Sequence, residues 1–365
     1  MRILHLIPSL TGGGAERQLA YLAPALAEAG VDVHVGYIGS GPNLARLRES
    51  AVQLHEIAAG GNHDVLILGR IVALLRELRP SAVHTWLLQM DVFGGAASLV
   101  AGVPWVLSER SCAQAYVQGW KFRLQRLLAR RAAAVVANSS AGADCWATVR
   151  DDRVLRVIRN IVPIAAIDAE PMVKSADNAP TVVFAGRFAA EKNLPNLLRA
   201  LDRALTAVPT ARAILFGDGP LRGELDQLKT MLASGARIEL HGYTDALWGW
   251  LKRATVTVNV SHFEGMPNVV LEAMACVSPL VVSDIPAHRE ILDERSALFV
   301  PTDSPEAIGN AIVACLTDAN AATVRARNAR AHCLSFSSAA VAEQYIEVYA
   351  AVAGARATPK AAAHR

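Results

Sequence analysis

Ser261-His262-Phe263-Glu264-Gly265-Met266-Pro267-Asn268-Val269-Val270-Leu271-Glu272-Ala273-Met274-Ala275 is the stretch on which the reading of this chain turns. Just upstream, Thr255-Val256-Thr257-Val258-Asn259-Val260 alternates β-branched residues as a buried strand does. Downstream, Val269 to Ala275 predicts a helix entered through Pro267 and Asn268, residue types that favour helix starts. Glu264 then falls on the strand-to-helix loop. Glu272 falls one turn into the helix, its side chain leaning back towards the N-terminus. Both carboxylates would border one crevice at the C-terminal edge of a parallel sheet, beside a helix start that attracts phosphate. A hydroxyl-rich, phosphorylated ligand suits that arrangement, because carboxylates accept from sugar hydroxyls and backbone N–H groups donate to a diphosphate.

Outward from this stretch, short apolar strands alternate with amphipathic helices. In the N-terminal half the strand candidates are 2–8, 31–38, 82–85, 105–108, 134–137 and 154–158, with helices at 15–29, 62–78 and 120–131. A weakly periodic segment, 165–180, mixes Pro171, Asp177, Asn178 and Pro180 and reads as a linker. The pattern restarts with strands at 181–185, 211–216, 238–241, 255–260 and 280–283, and helices at 194–207, 219–233 and 245–253. Such alternation predicts parallel sheets covered on both faces. The expected organisation is an N-terminal domain over 1–164, the linker, a C-terminal domain over 181–337, and a helix and frayed tail over 338–365.

At Glu264-Gly265-Met266-Pro267 and Glu272 the chain resembles the retaining, nucleotide-sugar-dependent glycosyltransferases of family 4, with their Glu, seven residues, Glu signature. A carboxylate pair at that spacing is common on any amphipathic helix; its place after a strand, with Gly and Pro following the first Glu, makes it specific. The resemblance implies the GT-B fold: two doubly wound α/β Rossmann-like domains facing across a cleft, the last helix crossing back to the first domain. It implies that Glu264 and the residues after it, Gly265, Met266, Pro267 and Asn268 with their backbone amides where present, lie around the transferred sugar, and that Glu272 holds the ribose. It further implies a nucleotide-sugar, in particular a UDP-sugar, as donor and a glycan or lipid-linked acceptor in cell-envelope polysaccharide or glycolipid synthesis.

Other motifs carry the resemblance further. Gly186-Arg187-Phe188-Ala189-Ala190-Glu191-Lys192-Asn193 follows the first strand of the second domain. Arg187, a planar fork, and Lys192, a compact charge, can converge there on one diphosphate. With Glu264 they form the expected catalytic set. Glu191 is read as positioning local backbone. Gly217, in Gly217-Asp218-Gly219-Pro220, allows a tight turn, and Tyr243 after the next strand is placed to stack on a base or to pack in the interior. Thr11-Gly12-Gly13-Gly14-Ala15-Glu16-Arg17 opens the first helix without a dinucleotide fingerprint, yet glycines at a helix start make a phosphate cradle. Gly13 and Gly14 are the candidates there, and Glu16 with Arg17 is read as a helix-start ion pair.

One departure stands out. Where many family members carry a histidine near the sugar, this chain reads Leu107-Ser108-Glu109-Arg110-Ser111. Glu109 or Arg110 would take that place, and Arg110 can bind an anion but cannot serve as a base. His84 is the alternative, as a cleft histidine or as a packed one.

Composition narrows the classes. The 365 residues are 52% hydrophobic and 19% charged with a formal net charge of +3, which fits a two-domain globular protein and gives no case for nucleic acid. Five cysteines (Cys112, Cys145, Cys276, Cys315 and Cys333) form no Cys-x-x-Cys pair and are read as reduced thiols of a cytoplasmic protein. No Asp-x-Asp occurs; no metal and no other cofactor is expected. The basic stretch 120–131 predicts an amphipathic helix suited to an anionic membrane face. Two further readings stay open: a nucleotide-sugar 2-epimerase of the same architecture, and a non-catalytic sugar-nucleotide-binding partner.

Overall fold

The computed structural model describes residues 1–61, 64–110, 119–147, 154–174 and 178–357. Asn62, Ser111, Cys112, Asp177 and the tail 358–365, all assigned places above, lie outside the described residues. The chain divides into two compact units, Met1–Ile161 with Phe336–Arg365, and Val162–Ser335.

The first unit holds β1 (Arg2–Ser9), β2 (Asp32–Gly39), β3 (Gln53–Glu56), β4 (Ala82–Trp86), β5 (Trp105–Glu109), β6 (Ala134–Ala137) and β7 (Val154–Val157). They form one parallel sheet in the order β3-β2-β1-β4-β5-β6-β7. Strand β1 reads Ile-Leu-His-Leu-Ile without alternation because both faces are covered. Ile3 and Ile7 pack on one side with Leu19 and Leu22 of helix Gly14–Glu28 and with Tyr345 and Tyr349 of helix Ser338–Ala357. Leu4 and Leu6 pack on the other with Ile67, Ile71 and Leu75 of helix Leu66–Leu78.

The second unit holds β8 (Thr181–Ala185), β9 (Arg212–Phe216), β10 (Ile238–His241), β11 (Val256–Asn259), β12 (Leu280–Ser283) and β13 (Leu298–Val300). These are parallel in the order β10-β9-β8-β11-β12-β13. Helix Leu194–Ala207 buries Leu197, Leu198, Leu201 and Leu205 against Val182, Phe184 and Val258. In each sheet the strand order reverses once, between β1 and β4 and between β8 and β11. Loops leaving these strands diverge and open a crevice at the sheet's C-terminal edge. The Gly-rich loop after β1, the Lys192 loop after β8 and the Glu264 loop after β11 all stand at such edges.

Several expectations are corrected. The segment 165–180 is not a bare linker: helix Ile164–Ala169 occupies its start, with Ile167 buried. Arg330 donates to Asp168 at 2.8 Å, and Lys252 donates to the Asp168 and Glu170 carbonyls, tying it to the second unit. Strands β3 and β13 went unread because β3, Gln-Leu-His-Glu, is half polar at a sheet edge and β13 has only three residues. Helices Asn43–Arg48, Ser140–Ala147, Pro305–Thr317 and Ala319–Cys333 also went unread. The helix expected over 219–233 is confined to Arg222–Thr230, that over 120–131 ends at Ala129, and that over 62–78 starts at Leu66.

Candidate active site

The crevice of the second unit is built by the two loops flanking its strand reversal. Asn193 adopts a left-handed backbone (φ 58°), a conformation asparagine tolerates better than most residues. Its side-chain amide donates to the carbonyls of Val260 (3.1 Å) and Thr302 (2.6 Å). The His262 amide donates to the Glu191 carbonyl at 2.8 Å, so Glu191 does position backbone. These bonds stitch the β8 loop to the β11 loop and bring Lys192 to Glu264. Lys192 Nζ donates to Glu264 Oε1 at 2.6 Å, with side chains 18% and 10% exposed.

Glu264 Oε1 also lies 2.7 Å from Ser261 Oγ. Behind it, Ser283 Oγ donates to the Ser261 carbonyl at 2.7 Å, and His288 Nδ1–H donates to the Ser283 carbonyl at 2.8 Å. His288 is fully buried, and that burial, ahead of the Ser283 bond and the charges of Glu264 and Lys192, lowers its pKa and keeps it neutral. Arg187 is exposed, and its guanidinium makes no hydrogen bond or ion pair with another described residue. The sheltered pair and the open guanidinium offer a cation, a carboxylate edge and a second cation within one loop system.

The remaining second-unit candidates divide by exposure. Gly265 and Asn268 are half-buried, while Met266 and Pro267 are buried. Helix Asn268–Ala275 starts at Pro267 with no side-chain capping bond, so its first amides point out of the helix without that partner. Glu272 is buried, at 3% exposure. Gly217 has φ 143°, and a Cβ there would stand 1.9 Å from the Gly186 carbonyl oxygen, so its role is close approach of two backbones. Tyr243 is 85% exposed; the packed alternative for it does not hold.

The first unit presents a different picture. Glu16 turns back over the Gly-rich loop, where a Cβ on Gly13 would meet its Oε2 at 2.3 Å. Ser9 and Thr11 hydroxyls donate to Glu16 Oε1 at 3.3 and 3.1 Å, in place of the expected pairing with Arg17. The start of helix Gly14–Glu28 therefore already holds an internal carboxylate beside the exposed Gly13 and Gly14. His84 is fully buried, its Nδ1 2.7 Å from the Tyr349 hydroxyl, and burial takes its pKa well below the usual value. The packed alternative is the one observed. Glu109 is buried too and accepts from Trp146 Nε1 at 2.8 Å. Arg110 alone of the three stays partly exposed, donating to Asn160 Oδ1 at 2.7 Å with its guanidinium 4.8 Å from the Trp86 ring centroid.

Comparison with known proteins decides the family. Residues 179–318 match the profile described as Glycosyl transferases group 1, and residues 12–166 match Glycosyltransferase Family 4. The chain belongs to the group 1, family 4 glycosyltransferases. It is 26% identical to the lipopolysaccharide core biosynthesis glycosyltransferase LpsE of Rhizobium meliloti (strain 1021) over 353 residues, covering 93% of this chain and 96% of that protein. A Campylobacter jejuni α-1,4-N-acetyl-D-galactosaminyltransferase, named for its undecaprenol-diphosphate-linked glycan substrate, is 25% identical over 376 residues, covering 97% and 100%. Among solved structures, Anabaena HepE in complex with UDP and glucose superposes with a TM-score of 0.83 at 21% identity, covering 95% of this chain and 99% of HepE. This family 4 glycosyltransferase thus has two parallel-sheet Rossmann-like domains with GT-B neighbours, and homologues in cell-envelope polysaccharide and lipid-linked glycan synthesis.

Sequence reasoning missed Ser261, Ser283 and His288 as parts of this site. The first two are serines at strand ends, and a buried histidine beyond the next strand carries no spacing signal. Only the pairing of β11 with β12 makes them neighbours.

Proposed function

We propose that the protein transfers a hexose from a nucleotide-sugar, in particular a UDP-sugar, to a glycan or lipid-linked acceptor with retention of anomeric configuration. The observation carrying this reading is the Lys192–Glu264 ion pair at the strand reversal of the second unit, with Arg187 exposed on the same loop as Lys192. The two cations would meet the diphosphate and the carboxylate would meet the sugar. HepE, of the same fold, is described with UDP and glucose.

In this reading the bond from the sugar C1 to the diphosphate oxygen breaks while the acceptor oxygen bonds C1 on the same face. The acceptor proton passes to the departing diphosphate. Negative charge grows on that diphosphate as the bond lengthens, so Arg187 and Lys192 bind the transition state more strongly than the ground state. Glu264 orients the sugar, Glu272 accepts from the ribose, Tyr243 stacks on the base, and the N–H groups of Gly265, Met266 and Asn268, with Pro267 between them, line the sugar and phosphate. Arg110 is the first-unit side chain assigned to a substrate anion, because it alone of the candidates there combines charge with exposure. No resident metal or organic cofactor forms part of the reading.

A peripheral place on the cytoplasmic membrane face completes the proposal. No single described helix is long and apolar enough to cross a bilayer. Helix Trp120–Ala129 instead exposes Trp120 (69%) and Leu127 (58%) beside Arg123, and Arg130 follows at its C-cap on the same face. Aromatic and aliphatic side chains flanked by arginines suit an anionic interface. Arg126, in the same basic stretch, donates instead to the Cys145 carbonyl at 3.1 Å and lies near the Trp146 ring.

The test is incubation with UDP-, GDP- and ADP-hexoses and polyprenyl-diphosphate glycan acceptors, read by product mass, with the anomeric configuration read by NMR. A product one hexose heavier with the donor's anomeric configuration is expected. An inverted product overturns the retaining assignment, and release of an epimerised sugar without acceptor overturns transfer.

A further inference from the structure

Glu264 has one carboxylate with two unlike oxygens. Its Oε1 receives Lys192 Nζ at 2.6 Å and lies 2.7 Å from Ser261 Oγ, while Oε2 has no hydrogen-bond partner among the described residues. A carboxylate paired to a lysine is ionised and can only accept, so at 2.7 Å the Ser261 hydroxyl must be the donor. Ser261 Oγ also lies 2.9 Å from Asn259 Oδ1, an oxygen towards which the Ser261 backbone N–H points at 3.5 Å. The single hydroxyl proton is given along the shorter contact, to Glu264.

Ser261 is itself immobilised. It is fully buried, and its carbonyl accepts from Ser283 Oγ at 2.7 Å. Ser283 stands at the end of β12, where His288 Nδ1–H holds its carbonyl. The serine therefore presents its hydroxyl from a fixed point, and the rotation of the Glu264 carboxylate is set by two donors on one oxygen.

We propose that Ser261 is a positioning residue that fixes Glu264 so that Oε2 alone faces the transferred sugar as a single acceptor. This rests on the donor-site reading above and deepens it to a substrate class. The sugar has to bring a hydroxyl donor to Oε2, and a uronate carboxylate at that position is repelled. A neutral hexose with a free hydroxyl is accordingly the donor class, and the same sugar with that hydroxyl deoxygenated loses the contact.

The experiment compares binding of the nucleoside diphosphate with that of its sugar conjugate. From a panel of UDP-, GDP- and ADP-hexoses, the conjugate binding the parent most tightly is used by calorimetry, alongside its nucleoside diphosphate and the matching uronic acid conjugate. The ratio of the two dissociation constants isolates what the sugar adds. Ser261→Ala is expected to shrink that ratio about fivefold, on the scale of one ordinary hydrogen bond, while the nucleoside diphosphate binds within twofold of the parent. Glu264→Gln should shrink it similarly, and adding Ser261→Ala to Glu264→Gln should change it little further. Ser261→Thr, which keeps the hydroxyl, should recover part of the ratio, and thermal melts identify any variant that fails to fold.

A folded Ser261→Ala protein with the parent's ratio overturns the positioning role, as does equal or tighter binding of the uronic acid conjugate. If Ser261→Ala fails to fold, Ser261→Thr with an unshifted melt and none of the parent's ratio overturns it as well. A parent that binds no member of the panel fails differently: it removes the donor-site reading and this inference with it.

Discussion

The two units share one topology and use it in opposite ways. In the second, groups on the loops leaving the strands keep open valences: Arg187 is exposed and Glu264 retains an oxygen at the strand reversal, and Tyr243 stands in solvent after the edge strand β10. In the first, Arg110 alone of the candidate side chains stays partly exposed, and the buried polar groups are closed by their neighbours. Glu16 is held by Ser9 and Thr11, His84 by Tyr349, and Glu109 by Trp146. A crevice at a sheet edge is thus supplied by the fold, whereas ligand chemistry depends on which side chains are left unsatisfied there.

The sharpest way to break this contrast is to remove a group from the open side. Lys192→Ala should lower the single-turnover transfer rate about 100-fold or more, because its charge counts most when the diphosphate departs. Glu16→Gln on the closed side should leave that rate within a few-fold. Rapid-quench assays on both variants check the pair, and equal rates for Lys192→Ala and parent would remove Lys192 from the site.

The closed side should instead govern stability against pH. His5 accepts from Trp86 Nε1 at 3.1 Å, and burial takes its pKa down to about 3; His84 is depressed by burial as well. Their folded pKa values lie below the unfolded value near 6.5, so the unfolded chain binds protons the native state refuses. Stability is full above about pH 6.5 and falls below it, by about 1.4 kcal/mol per histidine at pH 5.5. Asp91 works the other way. Burial, against hydrogen bonds from Thr85 and Gln125, raises it to about 8, so stability from its proton fades as pH rises towards 8. Asp91→Asn should therefore steepen the loss between pH 7.5 and 5.5 by roughly 2 kcal/mol, measured by urea melts. A parent and variant with the same pH slope would contradict this.

Much of this was legible in residues, and the failures have physical causes. Strands such as Thr181–Ala185 and Ala134–Ala137 were read to the residue, and Arg212–Phe216 to within one, because buried parallel strands are continuous apolar runs. Glu264 and Lys192 were readable because a loop motif keeps its spacing. Glu16 was misread because its neighbour in sequence is Arg17, while its partners Ser9 and Thr11 are reached only once the helix turns back over Gly13. Ser261 and His288 were invisible because strand pairing, and no local spacing, brings them together. Arg126 shares a three-residue step with Arg123, but Trp146 and Cys145 claim it for the interior side.

Two smaller effects sharpen the account. Glu272→Gln should weaken UDP binding by about 1–3 kcal/mol, the scale of a hydrogen bond to a charged group; unchanged affinity in calorimetry would separate Glu272 from the ribose. Replacing Arg123 and Arg130 together by Gln should reduce sedimentation with anionic vesicles by about 1 kcal/mol per charge at low salt, while Arg126→Gln leaves it unchanged. A parent that does not sediment with such vesicles would make helix Trp120–Ala129 an ordinary surface element.

The contrast between the units is tested most directly by titrating UDP into the parent, Lys192→Ala and Glu16→Gln by calorimetry. An open donor site in the second unit and a self-filled helix start in the first predict at least tenfold weaker binding for Lys192→Ala and a change under twofold for Glu16→Gln. Unchanged binding for Lys192→Ala, with a large change for Glu16→Gln, would contradict the account and place the diphosphate on the glycine loop.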